Sequence, residues 1–280
     1  MGDTRIEWCT TSWNIITGCT KISTGCSRCY ARRMATRLRG RFGYPDGSPG
    51  HDPFDVTFHP DKLDDPLKWK KPRLVFVSSM GDLFHPDVPG ADICRVFDVM
   101  FSADHHQYFI LTKRPKRMGD RWDGEYHYSR RPMEHIWHGT SIENQTAANE
   151  RLRELVKTRS AHRFISAEPL LGEIDISPWL PEISWVIAGG ETGPGARACD
   201  LSWVWSLQRQ CQEAVVPFFF KAWGEWVPLE YYHQLPVNTM IRDRTYTHAK
   251  VGRKAAGHLL GSKEYRQVPP ELAGFFEEKA

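Results

Sequence analysis

The sequence predicts an α/β protein, a partial or open (β/α) barrel with mainly parallel strands. Strand-length apolar runs recur along the chain, and helical stretches separate them. The runs are apolar throughout rather than alternating, which is the pattern of strands covered on both faces by helices. A length of 280 residues suits one such domain.

The elements follow in order. A first strand precedes the glycine- and cysteine-rich stretch from Trp13 to Tyr30, and a helix carrying Arg32, Arg33 and Arg37 comes after it. The insert from Gly40 to Pro66, rich in glycine, proline and aspartate, reads as an irregular loop. Leu74 to Ser79 is the second strand; it is followed by a helix from Ala91 to Ser102, with Ile93, Val96, Phe97 and Met100 at helical spacing. Further strands are expected at Tyr108 to Thr112, Ile136 to Thr140, His162 to Ser166, Trp185 to Ala188 and Val216 to Phe220. Helices are expected at Gln145 to Lys157, opened by Asn144, and at Leu201 to Ala214, with Asp200 as N-cap. Residues 1–241 form the barrel-like domain in this reading. Residues 242–280, with Arg244, Lys250, Arg253 and Lys254, form a basic extension that packs on it.

Several classes are excluded. No apolar stretch approaches the ~20 residues that span a bilayer. No Gly-Lys-Ser or Gly-Lys-Thr follows a glycine-rich turn, no serine sits in a nucleophile elbow, and no His-Glu pair has zinc-hydrolase spacing. Nothing at ligand spacing pairs His51, His59, His105 or His106, so these read as surface histidines. A net charge of +3 is too small to announce a nucleic-acid binder. Most of the eleven tryptophans fall beside strand signals and are expected in the core.

The chemistry gathers on three cysteines. Six residues separate Cys19 from Cys26 and two separate Cys26 from Cys29, with Gly18 and Gly25 directly before the first two. Structural zinc is normally closed by four ligands, whereas three leave a corner open. Three thiolates also suit a 4Fe-4S cluster with one iron free, and such a cluster can chelate S-adenosyl-L-methionine and reduce its sulfonium. Cys9, ten residues upstream of Cys19, could instead close a four-thiolate zinc knuckle. Cys94, Cys199 and Cys211 read as small apolar fillers. Seven cysteines, an odd number, with no secretory leader suit a reducing cytoplasm.

In a parallel barrel the carboxyl ends of the strands carry the active-site loops. Here those ends run into Asp82, into Lys113 and Arg114, into Ser141 and Glu143, into Glu168, into Glu191 and Arg197, and into Lys221. Asp82 is placed to accept from the ammonium of S-adenosyl-L-methionine, and Lys113 or Arg114 to answer its carboxylate. Ser141 and Arg197 join them as cofactor contacts, while Glu191 or Glu168 can bind sugar hydroxyls beside the Gly189-Gly190 turn. Glu143, Glu168 and Lys221 are the catalytic candidates.

Trp13-Asn14, Gly18-Cys19-Thr20-Lys21, Gly25-Cys26, Cys29-Tyr30-Ala31, Phe219-Phe220-Lys221-Ala222-Trp223-Gly224 and the tail from Val251 to Leu260 resemble the phage-encoded three-cysteine-motif family (DUF5131-type) over nearly the whole chain. That family in turn resembles divergent radical S-adenosylmethionine enzymes. Their usual cysteine gaps are three and then two residues; here the first gap is six. The family pattern has no cysteine at Cys9, which argues against a fourth protein ligand, and the wider resemblance puts Asp82 where an acidic residue contacts the methionine amino group. It implies a radical enzyme with an electron donor as partner and, by association with phages, a nucleotide or nucleic-acid base as substrate. The competing class is a nucleic-acid- or partner-binding phage protein with a structural metal and no radical chemistry. Oligomeric state is not legible.

Overall fold

The computed structural model describes residues 4, 6–124, 133–232, 241–242 and 247–277. The first elements are β1 (Thr11–Trp13), β2 (Ile16–Thr17), α1 (Tyr30–Leu38), β3 (Thr57–Phe58), α2 (Asp65–Lys68) and β4 (Leu74–Val77). Then come α3 (Gly90–Ser102), β5 (Gln107–Thr112), α4 (Pro115–Gly124), β6 (Ile136–Ser141), α5 (Gln145–Leu155) and β7 (His162–Ala167). The chain continues through β8 (Trp185–Gly189), α6 (Leu201–Glu213), β9 (Phe218–Ala222), β10 (Trp226–Pro228), α7 (Leu229–Tyr232), β11 (Ile241–Arg242), β12 (His248–Lys250), α8 (Arg253–Ala256) and α9 (Ala273–Glu277). The main sheet has the order β1-β4-β5-β6-β7-β8-β9. A linear order with β1 and β9 at its ends is an open sheet, and the α/β class expected from the sequence is the one the chain adopts.

Contacts divide the chain into two units. The first comprises Met1–Ile22, Cys29–Thr140 and Glu154–Arg163; the second comprises Ser23–Arg28, Ser141–Arg153 and Phe164–Ala280. In the first, β1 pairs with β4, β4 with β5 and β5 with β6, all parallel. Every residue of β4 is buried, as a strand covered on both faces requires. Between β4 and β5, α3 buries Ile93, Val96, Phe97, Val99 and Met100, the face its spacing foretold. The insert is more ordered than a loop reading allows, because β3 pairs antiparallel with β2, Ile16 opposite Phe58. Reading His59 and His106 as surface residues is also corrected: they are 4% and 0% exposed, whereas His51 and His105, the other two of the four, face solvent. Backbone and hydroxyl partners make that burial tolerable: His59 Nε2 is 2.8 Å from Thr17 Oγ1, and His106 Nε2 is 3.1 Å from the Pro66 carbonyl.

In the second unit β7 pairs with β8 and β8 with β9, again parallel. Asp200 caps α6 by accepting from the backbone N–H of Ser202 at 2.8 Å. The C-terminal residues add a small antiparallel sheet in which β12 lies between β10 and β11. Beside β9, Phe220 N donates to the Tyr265 carbonyl at 2.6 Å. Trp8, Trp13, Trp122, Trp137, Trp185 and Trp223 are fully buried. No helix among the described residues is long and apolar enough to cross a membrane.

Candidate functional site

The cysteine stretch is held in place by close backbone approach. Gly18 has φ +85°, and a Cβ there would lie 2.1 Å from the Asp55 carbonyl oxygen. Its N–H donates to the Met80 carbonyl at 3.0 Å, and the N–H of Cys19 donates to that of Phe54 at 3.2 Å. Gly81 meets this segment from the β4 side, where a Cβ would be 2.8 Å from the Ile16 carbonyl oxygen. Glycine at both positions lets the chain carrying Cys19 lie against the loop carrying Asp82.

Within the first unit that loop and the one after β5 converge on Cys19. Arg114 Nη1 donates to Asp82 Oδ2 at 2.6 Å and to Cys19 Sγ at 3.4 Å, while Nη2 donates to the carbonyl and hydroxyl oxygens of Thr20 at 3.3 and 3.1 Å. The other carboxylate oxygen of Asp82 accepts from Thr112 Oγ1 at 2.7 Å and from Phe84 N at 3.0 Å. Thr20 is also 2.8 Å from His85 Nε2. Both charged side chains are buried, 11% exposed for Arg114 and 6% for Asp82. Burial opposes the charge of Arg114, but Asp82 and then Cys19 more than offset it and hold its pKa above the ordinary arginine value. Burial, helped by the Arg114 charge, drops His85 below the usual histidine range. Lys113 is half-buried and makes no side-chain hydrogen bond or ion pair among the described residues.

The second unit grips the backbone around Cys26. Glu191, with its side chain 4% exposed, accepts from Arg197 Nη2 at 2.5 Å, from its Nε and backbone N at 2.9 Å, and from Arg28 Nη1 at 3.4 Å. Arg197 Nη2 donates as well to the Thr24 carbonyl at 3.1 Å. Burial raises the Glu191 pKa, yet the Arg197 hydrogen bonds outweigh it and hold the carboxyl below the usual range. Glu143, 1% exposed, pairs with Arg151 at 2.8 Å and accepts from the N–H of Gly25 at 3.3 Å. Gly25 has no room for more, since a Cβ would sit 3.0 Å from the Glu143 carboxyl carbon. Glu168 pairs with Lys221 at 2.8 Å and accepts from Ser166 Oγ at 3.4 Å.

The structure therefore brings Asp82, Arg114 and Cys19 together in one unit, and Glu191, Arg197 and the Cys26 segment together in the other. Ser141 contributes its carbonyl, which accepts from Arg151 at 2.7 Å. Arg28, Arg151, Thr112, Thr20 and His85 are partners that the sequence reading missed. Pairings over 8 to 163 residues leave no local pattern; Glu143 lies before α5 and Arg151 within it, so helical spacing does not link them either.

The implied cofactor can be tested against the donors. Among the described residues no group of three or more His, Cys, Asp or Glu side chains is arranged to hold a metal ion. Cys19 and Cys29 both pack, half-buried, against Ala31, Ala35, Tyr44, Phe54 and Met80 in the first unit, and Cys26 belongs to the second. Cys9 differs from all three, being 0% exposed with its Sγ toward the Ile6 carbonyl. In donor chemistry the half-exposed thiols fit a thiophilic group: soft sulfur donors select zinc, copper(I) or iron-sulfur clusters, and Arg114 supplies a hydrogen bond to one sulfur.

No curated protein sequence matches the chain. Solved structures of spore photoproduct lyase are similar to it at 11% identity, covering 90% of this chain and 71% of that one. A mutant with bound AdoMet and dinucleoside spore photoproduct has TM-score 0.46, another mutant 0.43, and a complex with dinucleoside spore photoproduct 0.40. Residues 3–269 match one family throughout, and the chain belongs to it: the family described as "Protein of unknown function (DUF5131)".

Proposed function

We propose that this chain is an iron-sulfur-dependent, radical S-adenosylmethionine-like enzyme that modifies a nucleotide or nucleic-acid base. The observation that carries the reading is the treatment of the cysteine stretch. Its thiols stay half-exposed, and charged groups from the strand ends clasp its backbone and one sulfur. A surface loop with no task would not need buried ion pairs to hold it. Cys19, Cys26 and Cys29 would hold a 4Fe-4S cluster. The chemistry such a group supplies, when bound, is one-electron reduction of the sulfonium of S-adenosyl-L-methionine.

The protein groups have separate tasks. Arg114 stabilises negative charge on Cys19, since its donated hydrogen bond strengthens as the sulfur becomes anionic. Asp82 and Arg114 are an acid and a base already at contact distance, the two charges needed to meet the ammonium and carboxylate of an amino acid. Lys113 adds a cation free to turn toward a carboxylate. Glu191, Arg197 and Arg28 fix the backbone from Thr24 to Arg28, and Glu143 fixes Gly25, so Glu143 braces the loop from a buried position. Glu168, just after β7, and Lys221, within β9, are partly exposed and meet at 2.8 Å across the intervening β8, and this pair is assigned the proton transfer to or from substrate.

Anaerobic reconstitution with iron and sulfide tests this. The expected result is a brown protein that, on reduction, converts S-adenosyl-L-methionine to 5′-deoxyadenosine. Colour should be lost in Cys19→Ser, Cys26→Ser and Cys29→Ser and kept in Cys9→Ser. A colourless protein with one tight zinc, lost equally in Cys9→Ser, would establish the structural-metal reading instead.

A further inference from the structure

Between Glu7 and Asp46 the chain carries no acid and seven cations: Lys21, Arg28, Arg32, Arg33, Arg37, Arg39 and Arg41. Arg28 and Arg32 are satisfied within the fold, by Glu191 and by Asp52. Arg37, Arg39 and Arg41 are exposed and make no ion pair among the described residues. They run along the end of α1 and the turn after it. The inner face of α1 is spent on the core, where Ala31 and Ala35 are buried; its outer face shows Tyr30 at 49% and Met34 at 41% exposure. Just past the arginines, Phe42 is 71% exposed and has φ 54°. A bulky side chain in the left-handed region is disfavoured. Here that conformation holds an aromatic ring in water beside exposed arginines, of which Arg41 donates to the Arg37 carbonyl at 2.8 Å and none meets an acid among the described residues, and the core gains nothing from it.

We infer that this surface of the first unit, from Tyr30 to Phe42, docks single-stranded nucleic acid. Exposed aromatic rings interleaved with arginines offer stacking for unpaired bases and bidentate donors for phosphates. A lipid surface fits less well, because the exposed apolar groups are isolated side chains on a nine-residue helix rather than a continuous apolar face. A duplex would leave the rings without bases to stack on. The inference deepens the proposed reading by making the substrate a polymer; its test needs neither cluster nor reductant, so the two can fail separately.

The test is fluorescence anisotropy of the full chain with a labelled ~20-nucleotide oligothymidylate. Three arginine-phosphate contacts at about −0.7 each predict a log-log salt slope near −2, which is about 20-fold weaker binding at 200 mM than at 50 mM salt. Phe42→Ala should weaken binding roughly tenfold and leave that slope unchanged. The combined Arg37→Glu, Arg39→Glu and Arg41→Glu variant should abolish binding while keeping the wild-type circular dichroism and thermal midpoint. Absence of wild-type binding at 50 mM salt, unchanged affinity in the triple variant, or capture by phosphatidylserine vesicles without oligonucleotide binding would overturn the assignment.

Discussion

Replacing Asp82 by asparagine should cost more stability than replacing Arg114 by methionine, although the second change removes more atoms. The reason lies in what each leaves behind. Asp82→Asn keeps the shape but removes the negative charge that faces a guanidinium 11% exposed, leaving it an amide oxygen, the oxygens of Thr20 and Cys19 Sγ as acceptors. Breaking a buried pair in this way costs about 3–5 kcal/mol. Arg114→Met leaves the Asp82 carboxylate with two good donors, the Thr112 hydroxyl at 2.7 Å and the Phe84 N–H at 3.0 Å. The charge that remains is thus partly compensated, and the cost should be about 2–3 kcal/mol, the range for losing hydrogen bonds to a charged group. The double variant removes both charges and should cost less than the sum by at least 1 kcal/mol, as coupled neighbours do. Urea unfolding at pH 7, with a common m-value across the four proteins, measures all three numbers. An Arg114→Met cost equal to or above that of Asp82→Asn, or additive single costs, would refute the claim that this pair is a buried, mutually dependent unit.

Three further outcomes follow from other parts of the structure. His59 and His138 are held neutral by burial, with pKa values of about 4 and about 3. The unfolded chain therefore binds protons first as pH drops below about 6.5, and stability, complete above that value, should be lost progressively down to about pH 3, with the His59 share gone by about pH 4; urea midpoints that stay level from pH 7 to 5 would contradict this. Glu191 has a depressed carboxyl, so its contribution is complete above its unfolded value near 4.5 and is lost as pH falls through the folded one; Glu191→Gln should flatten that acid limb of the stability profile. Gly190→Ala would set a Cβ 1.9 Å from the Trp223 carbonyl oxygen, backbone against side chain with no flexible neighbour to yield; a loss of about 3 kcal/mol or failure to accumulate folded protein is expected, and a thermal midpoint like that of wild type would show the turn to be adaptable.

The framework was legible because buried parallel strands announce themselves. β4 and β8 are buried at every position, and their apolar runs bounded by polar loops needed no other reading. The helix α4 was missed because Lys113-Arg114-Pro115 looks like a polar loop. Proline at the first helical position, with Met118 and Trp122 one turn apart and both 0% exposed, was the available signal. Site residues were legible as positions but not as partners. That Asp82, Glu143, Glu168 and Glu191 lie after strands follows from the pattern. That each meets Arg114, Arg151, Lys221 or Arg197 depends on tertiary placement alone.

This pairing bears on what the cysteine stretch is for. Carboxylates matched one to one with cations would leave a neutral rim, as expected of a fold that merely tidies its strand ends. Asp82 and Arg114 do cancel in the first unit, as do Glu143 and Arg151 in the second. Glu191 breaks the pattern by meeting two guanidiniums, Arg197 and Arg28, so one carboxylate faces two cations. Arg28 lies two residues after Cys26, and Arg197 binds the carbonyl of Thr24 two residues before it. Both guanidiniums of this cluster therefore lie beside the backbone that carries the middle thiol of the three. Neighbouring cations favour the thiolate, the form that binds metal, over the thiol. The two arginines thus bear on the proposed role of the stretch independently of its spacing, because they are residues that the spacing does not include.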